Sequence, residues 1–359
     1  MDTSKTHQEQ MLQNTSELQQ LVLTDTSQYI VDVYIITVGS TLVAILGIIA
    51  NVINQVVFAK IGFRTSMNLS LFILSSSDCF MGCCTIAYNV CRISRIFPTD
   101  SIIDYKVPQR AFAYARIAFT DFSSAITIYI SIERCLCVTF PFTFKSMFTM
   151  KQTLITLFSI ILFYLANELP LFWTMCVELK YDITRHFMRY FLCETTLHNE
   201  VVMSNDIIFG LIMSSVCQFS SAFCGIVMYR ALQKSSTIRT AGKNHFLNSE
   251  TPNANSLSVK EKRLVKMVLL LVILYIPTSL PNFIIGWVRL FYPEIFSWTV
   301  SNLFNFYTLN NLVNLFGNIH GAITILIYAG FNPAYRQYFV FVRCRKMKAK
   351  EKESQVYNK

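Results

Sequence analysis

The stretch Ile130-Ser131-Ile132-Glu133-Arg134-Cys135-Leu136-Cys137-Val138-Thr139-Phe140-Pro141 decides the fold. It closes a long apolar run that begins near Ala111, and it sets an acid beside a base where apolar helix gives way to polar loop. Ions are costly in hydrocarbon, so a pair placed this deep sits at a membrane interface or faces a protein interior. An acid next to a base means little alone, and the flanking sequence has to supply the setting.

That setting is a membrane. Of 359 residues, 53% are hydrophobic and only 14% charged, where soluble domains run to about a quarter charged. Seven stretches reach the roughly 20 apolar residues that a spanning helix needs: residues 30–58, 67–91, 111–138, 153–177, 201–230, 264–289 and 300–329. The expectation is an all-α membrane protein, a seven-transmembrane helix bundle over 30–330. Residues 1–29 are polar, read as disordered, and lack the apolar core of a cleavable signal peptide. Residues 331–345 are read as a short amphipathic eighth helix and 346–359 as a basic tail.

Charge gives an orientation. With the N-terminus outside, the cytoplasmic segments hold 21 of the 31 Lys and Arg residues, as the positive-inside rule requires. The net charge of +10 is then a membrane-surface signal and calls for no nucleic acid. Asn14-Thr15-Ser16, a glycosylation sequon, falls in the predicted outer tail.

Polar residues inside spans carry the functional argument, because each is expensive unless used. The first span holds Asn51 and the second Asp78. In the third, Arg116, Ser123, Thr127, Ile130 and Arg134 recur at helical intervals. Five turns separate Arg116 from Arg134, so the two lie on one face about 27 Å apart. Such a stripe suits a helix that links an outer pocket to an inner switch. Arg116 hints at an anionic ligand group; the bland reading has it snorkel or pair with Asp121 or Glu168. Pro277 and Pro281 predict a bend in the sixth span. Lys260 to Lys266, with Lys262 and Arg263, reads as an amphipathic extension of that helix suited to an acidic partner or as a snorkelling collar.

Taken in order, these residues resemble the rhodopsin-like G-protein-coupled receptors. Asn51, the Asn68-Leu69, Leu74 and Asp78 pattern, Glu133-Arg134 with Pro141 seven residues on, Pro277, and Tyr328 with Tyr335-Arg336 fall in family order, each on its expected span. The wording from Ile130 to Thr149 is similar to invertebrate, especially molluscan, chemosensory receptors. The resemblance implies a receptor that binds an extracellular cue and activates a heterotrimeric G protein. Glu133, Arg134, Pro141, Tyr229, Lys262, Arg263, Pro277 and Tyr328 would serve coupling and switching. Arg116, Asp121, Glu168, Tyr275 and Asn282 would meet a small-molecule or peptide ligand. Asn51, Asp78 and Ser123 would form a polar core, with a sodium ion near Asp78 left open as the one cofactor. Cys344 is a palmitoylation candidate.

The chain also departs from that family. Cys135 stands for its tyrosine, Tyr275 for its sixth-helix tryptophan, and the mid-helix proline of the fifth span is missing. Relatives bond a second-outer-loop cysteine, here Cys193, to one at the outer tip of the third helix, where this chain has Gln109. Cys91 is the expected substitute partner for Cys193. The seventh span has no lysine, so an opsin-type Schiff base is excluded. A neuropeptide receptor is the near alternative and a multi-span transporter or channel the distant one. No paired-histidine metal motif, phosphate loop or nucleophile elbow points to an enzyme.

Overall fold

Seven helices carry stretches long and apolar enough to cross a bilayer. The computed structural model describes residues 37–93, 101–140, 148–193, 195–244, 258–292 and 300–339. The expectations for Asn14, Pro141 and Cys344, and for the tails 1–29 and 346–359, lie outside those residues. The first four spans are Gly39–Ile61, Ser66–Ile93, Lys106–Thr139 and Met150–Trp173. The fifth runs from Thr196–Asn205 through a π-helical segment, Asp206–Met213, into Ser214–Asn244; the sixth is Val259–Phe291 and the seventh Val300–Phe331. A short helix over 333–339 follows. Even the first span, at 23 residues, is about 35 Å long and clears the roughly 30 Å of hydrocarbon. The chain is a multi-pass membrane protein, an all-α seven-span bundle with an additional helix.

The helices are sorted by polarity in the sense a bilayer requires. Leu42, Leu46, Leu154, Phe158, Leu165, Phe219, Phe223, Ile273 and Leu326 face outward, while Asn51, Asp78, Arg116, Glu133 and Asn318 are buried. Leaving Leu and Phe outside forfeits no hydrophobic energy when the surroundings are lipid, whereas every buried polar group must find a partner within the bundle. Phe58, Leu71, Leu74, Ile126, Ile130, Met228, Met267, Leu271 and Tyr328 form one apolar core in the half of the bundle that contains Glu133.

Local chemistry sets the helix ends. Gly62, at φ 87°, stops the first span with its N–H donated to Phe58 O, a conformation that glycine adopts without steric cost. Thr149 with Gln152 and Ser258 with Glu261 make capping boxes at the starts of the fourth and sixth spans. Asn332 interrupts the chain after the seventh span, and its Oδ1 accepts from Tyr335 N–H at 3.1 Å. Pro333 then occupies a first-turn position, where its missing donor costs nothing. Arg336 donates back to the carbonyls of Ala329, at 3.1 Å, and Gly330, at 2.5 Å, closing the C-terminus of the seventh span.

At the opposite end, the segment between the fourth and fifth spans is a hairpin where the sequence suggests plain loop. Strands β1 (Cys176–Asp182) and β2 (Phe187–Cys193) pair antiparallel with Cys176 opposite Cys193. This shortens the fourth span to Trp173, since Cys176 and Val177 belong to β1. It also corrects the disulfide: Cys193 bonds Cys176 and Cys91 is a free thiol. The register brings the two Cα atoms to 5.1 Å, inside the range a cystine spans, so the hairpin satisfies Cys193 internally.

Candidate functional site

Polar side chains buried between the spans form a column along the bundle, and it begins at the hairpin. Arg189 on β2 pairs with Asp182 at 2.9 Å and with Asp104, just before the third span, at 3.9 Å. Its Nε also donates to Ser101 O at 2.8 Å. Asp104 N–H donates to Tyr190 O, and Tyr190 N–H donates to Ile102 O. The hairpin is thus tied to the entry of the third span by charge and main-chain bonds, at the place where Gln109 denies it a cystine. Below it His198 joins three spans, with Tyr114 at 2.8 Å from Nε2 and Thr174 at 2.9 Å from Nδ1.

A cavity of about 60 Å³ opens deeper in this half. Asp78 and Asp121 line it, with Ser123, Ser124, Tyr164, Tyr275, Asn282 and His320 among their neighbours. Two features of the fifth and sixth spans shape it. Phe209 and Met213 come from the π-helical segment; such segments re-aim side chains. Pro277 lies inside the sixth span, and side chains bond the three carbonyls that precede it. Thr278 donates to Leu274 O, Ser279 donates to Tyr275 O, and Gln218 of the fifth span donates to Ile276 O.

Of the residues proposed to meet a ligand, the cavity brings together Asp121, Tyr275 and Asn282. Glu168 is buried nearby but is not among the lining side chains. Arg116 is elsewhere. Its guanidinium packs 4.4 Å from the Tyr88 ring centre on the second span, 4% exposed, and forms no ion pair with Asp121 or Glu168.

At the floor of the cavity Ser123 Oγ donates to Asp78 Oδ1 at 2.5 Å. Asp78 is 3% exposed, and its Oδ2 is buried without a hydrogen bond. Asn51 bonds the carbonyls of Gly47 and Gly321. Gly321 allows that approach, since a Cβ there would stand 3.4 Å from both Asn51 Nδ2 and Asp78 Cβ. An oxygen set of a carboxylate and a hydroxyl in a polar cavity is chemically suited to a hydrated sodium ion.

Beyond the apolar core lies the Glu133-Arg134 end. Arg134 bonds Glu133 Oε1 at 2.7 Å, and Ser66 Oγ of the second span donates to the same oxygen at 2.5 Å. Glu133 is fully buried and Arg134 8% exposed. Tyr328 is buried between Phe58 and Tyr335. Lys262 donates to Ser235 O at 3.2 Å, bridging the fifth and sixth spans, and Arg263 is exposed. Tyr229 is 53% exposed and bonds only along its own helix, to Gln233, so it stands apart from the Glu133 cluster.

Two buried groups escaped the sequence reading, which placed a third, Tyr335, only by its position beside Arg336 after the seventh span. His320 packs edge-on to Tyr275 and lines the cavity, and His198 ties the hairpin end. Tyr335 donates to Asn54 Oδ1 at 2.6 Å, locking the 333–339 helix to the first span. Each is a polar residue in or beside an apolar run, the signal that drew attention to Asp78.

No known protein family matches the chain, and no curated protein does.

Proposed function

We propose that the protein is a signalling receptor of the rhodopsin-like, G-protein-coupled kind, with its N-terminus outside the cell. It binds an extracellular cue, of chemosensory character, in the hairpin half of the bundle and activates a heterotrimeric G protein at the other end. The observation that carries this reading is the buried Glu133–Arg134–Ser66 cluster, one apolar core away from a polar cavity on the same third helix. An ion pair enclosed in a bundle is a weak source of stability but a good two-state device, because its alternatives are separated by a desolvation barrier. Pro277, which removes one helix hydrogen bond, and the Lys262 bridge between the fifth and sixth spans give the sixth helix a hinge and a catch.

Ligand in the cavity favours one of two packings of the bundle, and the shift is limited by the ligand's preference between them. In the resting packing Arg134 is held by Glu133. In the active one the inner sixth helix swings out about Pro277 and Arg134 meets the G protein. The excess of Lys and Arg in the segments assigned to the cytoplasm supports the orientation. A sodium ion at Asp78 and Ser123 would favour the resting packing.

The test is nucleotide exchange on a purified G protein in membranes that contain the protein. Glu133→Gln removes the carboxylate's charge from an ion-paired bond worth about 1.5–3 kcal/mol and leaves the guanidinium only a neutral acceptor. Basal exchange should rise by about tenfold. Arg134→Ala at equal surface expression should abolish coupling. Normal coupling by Arg134→Ala, or solute flux that survives it, would replace the receptor reading with a transporter.

A further inference from the structure

Two free thiols meet inside the bundle, and one of them adjoins Arg134 in the chain. Cys135 of the third span and Cys224 of the fifth are 7% and 4% exposed and belong to the same apolar core. The Cys224 thiol lies in hydrogen-bonding range of the Cys135 thiol. The other thiol contacts run elsewhere. Cys79, Cys83 and Cys84 neighbour one another along the second span alone, and Cys217 has the Tyr275 side chain as its partner.

The position of this pair gives it leverage. Ser66 holds the second span to the third through Glu133, and Lys262 holds the sixth to the fifth. A bond between Cys135 and Cys224 would fasten these two pairs of spans to each other. The sixth span enters the same core through Val265, Val268 and Leu271. Beside Cys224, a Cβ on Gly225 would stand 3.3 Å from Val272 Cγ1, so the sixth span packs closely on the fifth at this level. A buried thiol by itself is inert. A second sulfur beside it supplies a partner that can trap an oxidised one.

We infer that Cys135 and Cys224 form an oxidative cross-link site, where hydrogen peroxide makes a cystine that fastens the third span to the fifth and holds the resting packing. Burial selects the oxidant: peroxide is little larger than water, whereas a disulfide oxidant such as glutathione is too bulky to enter the core. One sulfur, as thiolate, attacks a peroxide oxygen; the O–O bond breaks, the sulfur becomes a sulfenic acid, and the other oxygen leaves as hydroxide and takes up the thiol's proton. The second sulfur attacks the first, the S–O bond breaks, and the hydroxyl leaves with the second thiol's proton. Two thiols and one peroxide thus give one cystine and two waters. Burial slows the first step, and the neighbouring thiol hastens the second. In a reducing cytosol such a bond is transient, as sensing cystines are. The chemistry depends on the two sulfurs alone; its bearing on signalling rests on the receptor reading.

The test treats the purified full-length protein in detergent micelles with hydrogen peroxide, caps the remaining thiols with N-ethylmaleimide, and maps linked peptides by mass spectrometry. A Cys135–Cys224 peptide pair, lost on dithiothreitol, is the expected product. The unfolding midpoint should rise with the link and fall back when dithiothreitol removes it. Cys224→Ala and Cys135→Ala keep the hairpin cystine, so they should show no rise and they correct for its reduction. In membranes with purified G protein, peroxide should cancel the roughly tenfold excess of exchange expected of Glu133→Gln, and leave that excess in Glu133→Gln combined with Cys224→Ala. No linked pair in the wild-type protein, or Cys135 linked to another cysteine, overturns the inference even if both alanine variants fail to fold. A pair that forms and leaves the midpoint unmoved shows that it fastens nothing. A pair that raises the midpoint but spares the Glu133→Gln exchange overturns its hold on the resting packing. If Glu133→Gln never raises exchange, the receptor reading fails, while the linked pair and the midpoint still decide the site.

Discussion

Replacing Arg189 with Met should release the hairpin from the bundle even though its cystine stays closed. Arg189 is the hub of the attachment: it pairs with Asp182 and Asp104 and bonds Ser101 O, with its side chain almost wholly buried. Removing one partner of a buried charge cluster leaves the others uncompensated, at a cost of about 3–5 kcal/mol. Asp182 retains its bonds from Thr184, which argues for the lower end. Three kcal/mol is about a hundredfold in the opening equilibrium of the docked segment. The cystine acts elsewhere. It closes a loop with a sequence separation of 17, worth roughly 3 kcal/mol in chain entropy, but both of its ends lie in the hairpin.

Hydrogen exchange on the full-length protein in micelles separates the two contributions. The reporters are the Asp104 and Tyr190 amides, whose bonds of 2.9 and 2.8 Å cross from hairpin to bundle. Arg189→Met should speed exchange in peptides covering 101–105 and 187–193 by about two decades. Arg189→Lys keeps the charge but loses the planar fork, and should fall between it and wild type. Cys176→Ser with Cys193→Ser should loosen the hairpin's own ladder while leaving 101–105 protected. If Arg189→Met leaves 101–105 unchanged, or the cysteine pair releases it as fully, the attachment does not run through Arg189 and the reasoning fails.

Two further outcomes follow from the same structure. Thr184, and then Arg189, hold the Asp182 carboxyl at about 2, below its ordinary 3.8. A depressed carboxyl contributes stability that is present above its ordinary value and is lost as pH falls through the folded value. Exchange at Tyr190 should therefore stay slow at pH 5 and accelerate only below about pH 4; loss of protection at pH 5 would show that Asp182 is not the partner. Tyr335→Phe keeps the ring between Phe58 and Tyr328 but strips the 2.6 Å bond to Asn54. It should cost about 1–3 kcal/mol for the unsatisfied buried acceptor, read as a lower unfolding midpoint; an unchanged midpoint would remove that lock.

The seven spans were legible because hydrocarbon imposes a length and a polarity that survive in any linear sequence. The cores of residues 67–91, 111–138 and 264–289 all lie within observed helices, and only the ends moved. Those ends depend on capping groups such as Thr149 and Ser258, which act over three residues and are easily overlooked beside a twenty-residue apolar run. The hairpin was illegible for a different reason. Its residues 176–193 include Glu178, Lys180, Arg185 and Arg189, and strand pairing of a polar segment is decided by what it docks against. The cysteines failed likewise. Choosing Cys91 for Cys193 followed from the predicted span ends, which placed Cys176 inside the fourth helix instead of on a strand.

The buried charges show most clearly where a linear reading stops. Periodicity placed Ser123, Thr127, Ile130 and Arg134 on an interior stripe with Arg116, and all five are buried. Burial is a property of the helix face, so a period of 3.6 is enough to find it. Partnership is not. Arg116 and Asp121 are five residues apart and opposite in charge, which in sequence invites a pair. In the bundle each is separated from the other by the body of its own helix. Arg116 packs against the Tyr88 ring of the second span, and Asp121 lines the cavity.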